Sequence, residues 1–192
     1  MNRRRERLSV QEMSLAGLFA ALIAAGAFMQ VTIPVQPVPM HFTMQFFFVL
    51  LASFLLGPKL GMASVGLYLA VGLVGVPVFA SGGGPAYLLR PTFGFLLGFW
   101  AAAAAAGYGG AVKGGRPSFR RLVLSALAGM AAMYLCGMGY FYAVSNLVLG
   151  IHVTWKLVAV NCFLLTVWGD GILCFLASAA ALRLKPALDW PG

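Results

Sequence analysis

From Ser14 to Ile33 the sequence carries no charged side chain, and long apolar runs of this kind recur as far as residue 182. A helix needs about 20 predominantly apolar residues to cross the hydrocarbon core of a bilayer. Punctuation by Pro, Gly and charge divides the chain into candidate spans near 13–33, 42–57, 60–79, 92–112, 122–149 and 156–182. The expected fold is therefore all-α, an integral membrane bundle of six transmembrane helices. With 61% hydrophobic and 9% charged residues, against about 25% charged in soluble domains, 192 residues leave no room for a soluble domain beside it. We expect a single transmembrane domain over 1–192.

The connections are Pro34 to His41, the tight Gly57-Pro58-Lys59 turn, Ala80 to Pro91, Lys113 to Arg121 and Gly150 to Trp155. The tight turn predicts that spans two and three form an antiparallel hairpin. Short loops rich in Lys and Arg stay in the cytoplasm. One side collects Arg3, Arg4, Arg5, Arg7, Lys59, Lys113, Arg116, Arg120, Arg121, Arg183 and Lys185, and the other has Arg90 and Lys156. Both termini are thus expected inside, with the loops 34–41 and 80–91 together on the outer face. The basic N-terminus resembles the start of a signal peptide, but its apolar run exceeds the 7–15 residues of a signal core and is read as a retained first span.

The formal charge of +9 sits in orientation clusters rather than in a basic stripe, which argues against a nucleic-acid partner. Cys136, Cys162 and Cys174 all lie in apolar stretches with no CxxC spacing, so neither a disulfide framework nor a metal site is supported. No GxxxxGK[ST] motif occurs, so energy for any pumping must come from another subunit or an ion gradient.

Asp170 is the sole acidic residue deep within a span, between Gly169 and Gly171. A carboxylate there costs several kcal/mol unless it faces a polar cavity, which makes it a functional-site candidate. Arg90, isolated in an uncharged outer loop, offers a planar fork for a carboxylate. Lys156 begins the last span, where a snorkelling role is the simpler reading. Gln36, His41, Gln45, Ser81, Tyr87, Asn146 and Asn161 add polar groups near the outer half, and Trp168, Tyr87, Phe79 and Phe93 offer apolar walls. Small residues at four-residue spacing, Ala16, Ala20, Ala24 and Gly94, Gly98, Ala102, Ala106, allow close helix approach in lipid. They fit internal packing or a docking face for a partner membrane protein.

Several ordered stretches carry a family likeness. They are Pro34 to Met40 (PVQPVPM), Leu55 to Gly61 (LLGPKLG), Gly72 to Phe79 (GLVGVPVF), Gly82 to Leu88, Pro91 to Phe99 (PTFGFLLGF) and Gly169-Asp170. On these the sequence resembles the BioY family, the biotin-specific S components of energy-coupling factor (ECF) transporters. The resemblance implies a six-helix bundle in a bacterial or archaeal cytoplasmic membrane, without enzymatic activity or cofactor, that captures biotin beneath its first loop. It implies as partners a membrane T component and two cytoplasmic ATPases, with Ala16, Ala20 and Ala24 as the docking face. Its substrate-binding candidates here are Asp170 for the ureido N–H groups and Arg90 for the carboxylate, with Tyr87, Ser81, Gln45, Asn161, Trp168 and Lys156 around them. In place of the basic residue that commonly follows the family's Asp, this chain has Gly171, Ile172, Leu173 and Cys174. The rival readings are an S component for thiamine or riboflavin and a membrane enzyme using Asp170 as acid or base.

Overall fold

A computed structural model describes residues 9–35, 38–111 and 117–188, with side chains to 185. Arg3, Arg4, Arg5, Arg7, Gln36, Lys113 and Arg116 lie outside the described residues. The fold is mostly helical. Five helical stretches are long and apolar enough to cross a membrane: Val10–Phe28, Gln45–Leu73, Phe93–Gly110, Phe119–Val148 and Trp155–Lys185.

Helix α1 (Val10–Phe28) begins at a capping box, in which the Ser9 hydroxyl accepts from the Glu12 amide at 3.2 Å and the Glu12 carboxylate accepts from the Ser9 amide at 2.7 Å. Two orphan amides are satisfied reciprocally. The helix stops short of the predicted 33. Residues Gln30–Ile33 form strand β1, paired antiparallel to β2 (Met40–Thr43) in the register Val31 to Phe42 and Thr32 to His41. This hairpin replaces the expected end of span one and part of the first loop. The β-branched run Val31-Thr32-Ile33 before Pro34 is the physical reason, since residues preceding proline are pushed out of the α region.

Helix α2 (Gln45–Leu73) is interrupted at Gly57, whose φ of 81° and ψ of 176° are non-helical. The two arms then run back against each other. The Gln45 amide donates to the Tyr68 hydroxyl at 2.6 Å, and a Cβ on Gly61 would sit 2.9 Å from Ser53 Cα. In a straight helix these pairs would be far apart, whereas both are symmetric about the Gly57 turn. That backbone region is essentially restricted to glycine and costs other residues about 1–3 kcal/mol. Gly57→Ala is accordingly expected to lower unfolding stability by about that amount in a thermal or denaturant melt in detergent. An unshifted melt would contradict a fixed reversal at this point.

After α2 a loop leads through a 3-10 helix (Pro85–Leu89) to α3 (Phe93–Gly110). Helix α4 (Phe119–Ala143) follows and widens into a π-turn at Val144–Val148. The last stretch is a short α5 (Trp155–Val158), a π-turn (Ala159–Leu164) and α6 (Val167–Leu188). Lys59, Arg121 and Lys185 gather at one end of the bundle: a Cβ on Gly110 would meet Phe54 near the Gly57 turn, the Lys185 ammonium donates to the Gly110 carbonyl, and Arg121 Nη2 donates to the Tyr108 carbonyl at 3.0 Å. The β1–β2 hairpin, the 3-10 helix and the start of α5 lie at the other end.

Both small-residue ladders face inward. Ala102 and Ala106 are fully buried, and Ala16 and Ala20 are each only 7% exposed, with Ala20 in the main core. Ala24 is half-buried against that core. Ala16, Ala20 and Ala24, expected as a partner-docking face, thus lie largely within this chain's own bundle. Their spacing serves the approach of α1 to this chain's own bundle, while Leu18 and Phe28 point outward.

Candidate functional site

Between β2, the start of α2, the 3-10 helix, α3, α4 and the last span lies a cavity, part of it open to solvent. Its walls are mostly apolar, from Phe46, Phe95, Phe99, Leu96, Met40 and Met133, with polar groups at two places.

The first polar group surrounds Asp170. The break in the last span between Leu164 and Val167 starts α6 beside the cavity, so Asp170 falls in the first turn of a helix, where its charge is favoured by the helix dipole. The residue is 6% exposed, and the Tyr134 hydroxyl of α4 lies 2.5 Å from its Oδ2. The same hydroxyl lies 2.7 Å from Thr166 Oγ1, which donates at 2.7 Å to the Cys162 carbonyl. A phenol has one proton, and the carboxylate is the stronger acceptor. Tyr134 therefore donates to Asp170, which fixes the carboxylate's orientation toward the cavity.

The second polar group is at the hairpin end. Here Gln45, 2% exposed, accepts from the Thr43 hydroxyl at 3.2 Å while its amide holds Tyr68. His41 bridges two segments: Nδ1 is 3.0 Å from the Thr32 hydroxyl and Nε2 is 3.0 Å from the Ser81 hydroxyl. Partial burial, and next the nearby Arg90 guanidinium, hold the His41 imidazole below its usual range. Tyr87 is fixed by ring contacts with Phe79 at 4.6 Å and Phe93 at 6.2 Å. Burial raises its phenol above the ordinary value, opposed by Arg90 and Ser81. The Arg90 guanidinium carbon stands 5.1 Å from the Tyr87 ring centroid, a cation–π arrangement at the solvent rim. One glycine matters to this closure. A Cβ on Gly169 would lie 2.5 Å from Phe42 Cζ, so the hairpin can rest on α6 only because that position has no side chain.

Of the sequence candidates, Asp170, Gln45 and Tyr87 line the cavity, while Ser81 and Arg90 adjoin it. Trp168 does not. It is 74% exposed, because two residues along a helix from Asp170 means the opposite face. Lys156 is exposed and Asn161 is half-buried, and neither is on the cavity wall. Tyr134, Thr166, Thr43 and Phe95 are wall residues that no sequence signal singled out. Tyr134 shares α4 with Tyr140 and Tyr142, and nothing local marks it out from them.

Known proteins bear on this arrangement. The BioY family model matches residues 1–190. A probable biotin transporter BioY of Lysinibacillus sphaericus is 35% identical over 176 residues, covering 92% of this chain and 87% of that protein. The biotin transporter BioY of Thermotoga maritima is 38% identical over 179 residues, covering 92% and 96%. The crystal structure of the S-component for biotin from an ECF-type ABC transporter superposes with a TM-score of 0.76 at 24% identity, over 97% of this chain and 95% of that one. At that identity the structural likeness speaks for the fold, and the sequence matches speak for the family. With a match along nearly its whole length and relatives named as transporters, the chain belongs to the BioY family.

Proposed function

We propose that this protein is the biotin-binding S component of an ECF-type importer, a single multi-pass domain that captures the vitamin from outside the cytoplasmic membrane of a bacterium or archaeon. The observation that carries the reading is a largely apolar cavity with an oriented carboxylate at one polar group and a cation at the rim of the other, in a chain of this family. Biotin matches that order. Its ureido N–H groups suit Asp170, its bicycle and chain suit the aromatic and aliphatic walls, and its carboxylate suits Arg90.

Counting the two arms of α2 separately favours six crossings, and the basic residues at the Gly57 end support a cytoplasmic side for that end and for both termini. The cavity then faces outward, toward arriving solute. Because the sequence has no P-loop, ATP-driven import requires partners, a membrane T component and two ATPases. Thiamine, a cation, is disfavoured by Arg90 at the rim.

The direct test is to purify the protein from cells supplied with biotin, thiamine and riboflavin, denature it, and identify the released ligand by mass spectrometry. Biotin alone supports the reading, and another vitamin in its place refutes it. Arg90 has its own test. Arg90→Ala is expected to weaken biotin about tenfold, near the lower end for a hydrogen bond to a charged group, and to weaken a neutral biotin amide much less. Equal losses for the two ligands would remove Arg90 from carboxylate recognition.

A further inference from the structure

His41 is the one imidazole on the wall of the cavity, and it has no part in holding Asp170. Both ring nitrogens meet hydroxyls, Thr32 on β1 and Ser81 on the loop before the 3-10 helix, each at 3.0 Å. A hydroxyl gives or takes a hydrogen bond by rotation. This setting therefore accepts the neutral imidazole in either tautomer and also the imidazolium, whose two N–H groups both find acceptors. The charged neighbour on this side is Arg90, which rests on the Tyr87 ring. The other titratable groups on the cavity wall are Tyr87, in the 3-10 helix, and Tyr134, Cys162 and Asp170 about the deeper polar group.

We infer that His41 is a second reader of the ligand's carboxylate, taking up a proton when an anionic ligand seats between it and Arg90. The inference rests on the biotin reading above, and assigns that site a specificity residue in addition to Arg90. Without ligand, two effects oppose the imidazolium, partial burial and the adjacent guanidinium. A carboxylate between the two cations offsets both and raises the imidazole's pKa in the complex.

The sign follows from linkage. The bound pKa exceeds the free one, so the extra affinity is fully present below the free pKa and is lost as pH rises through the bound pKa. A separation of one unit corresponds to a tenfold change. The ligand's own carboxylate, an ordinary carboxylic acid, stays ionised above about pH 5.5.

The test is equilibrium binding of biotin and of biotin amide to the purified full-length protein between about pH 8 and pH 5.5, with proton uptake measured by calorimetry in two buffers of different ionisation enthalpy. Biotin is expected to tighten by about tenfold across this range with net proton uptake relative to the amide. His41→Gln, which keeps a hydrogen-bonding group, is expected to erase that difference between ligands. Asp170 faces the ureido end common to both ligands, so its titration moves both alike and cancels in the comparison.

A biotin-to-amide ratio that stays constant with pH in the wild-type protein overturns the inference without any variant having to fold. A ratio that still shifts in the Gln variant overturns the assignment to His41. Failure to bind biotin at every pH refutes the reading of the cavity itself, and is thereby distinct from a failure of proton linkage.

Discussion

Replacing Asp170 with Asn is expected to weaken biotin binding by about 2–4 kcal/mol, roughly thirtyfold to a thousandfold. The substitution keeps size but changes one acceptor into a donor. Tyr134 donates to the oxygen beside it, at 2.5 Å in the native protein, and will keep the Asn oxygen for itself. The amide nitrogen is then turned to the cavity, where it opposes a ureido N–H donor to donor. A hydrogen bond to a charge is lost and a buried donor is left unpaired, which together account for the size of the loss. Calorimetric titration of a folded variant is the check, with its melt showing that folding is intact. An affinity within twofold of native would mean that Asp170 does not contact the ligand.

Gly98→Leu is expected to cost about 3 kcal/mol of stability, at the upper end for overpacking, and to abolish binding with it. A Cβ at this position would lie 2.7 Å from the Met133 carbonyl oxygen and 2.9 Å from Met133 Cα. Those are backbone atoms of α4, which cannot swing aside as a side-chain tip can. Accommodating leucine requires α3 and α4 to separate, and Phe99 and Met133 on either side of the contact both line the cavity. Thermal unfolding in detergent reads the stability term. A variant that melts and binds as the native protein does would show that the two helices are not tightly apposed here.

The membrane class and most helix positions were legible in the sequence because a bilayer crossing imposes a length on apolar runs that few other structures need. The reversal at Gly57 was legible too. A Gly-Pro pair followed by Lys59 supplies a turn residue free of Cβ strain, a residue that resists the helix, and a charge that seeks the membrane surface. Asp170 stood out through the cost of placing a carboxylate among apolar residues. The β1–β2 hairpin did not stand out, because Val31-Thr32-Ile33 is as apolar as the helix before it, and short apolar runs do not distinguish strand from helix. Tyr134 and Thr166 were hidden for a different reason. Their role depends on how α4 and α6 meet, which is a long-range fact with no local pattern.

The alanine ladder of α1 illustrates an ambiguity of spacing. Four-residue repeats of small side chains state that some helix comes close, but not which one, and here Ala16 and Ala20 are buried within their own bundle. Trp168 lies away from the cavity wall, 74% exposed. An aromatic two positions from Asp170 was named as a wall for the same ligand, although helical geometry separates such neighbours by roughly 200°.

The measurement that bears most directly on the central claim is a structure of the protein with biotin bound. A ureido nitrogen of the ligand is expected within about 3 Å of the Asp170 carboxylate, with the bicycle against Phe95 and Phe99 and the carboxylate toward Arg90. Biotin in the reversed orientation, with its carboxylate beside Asp170, or biotin held outside this cavity, would contradict it.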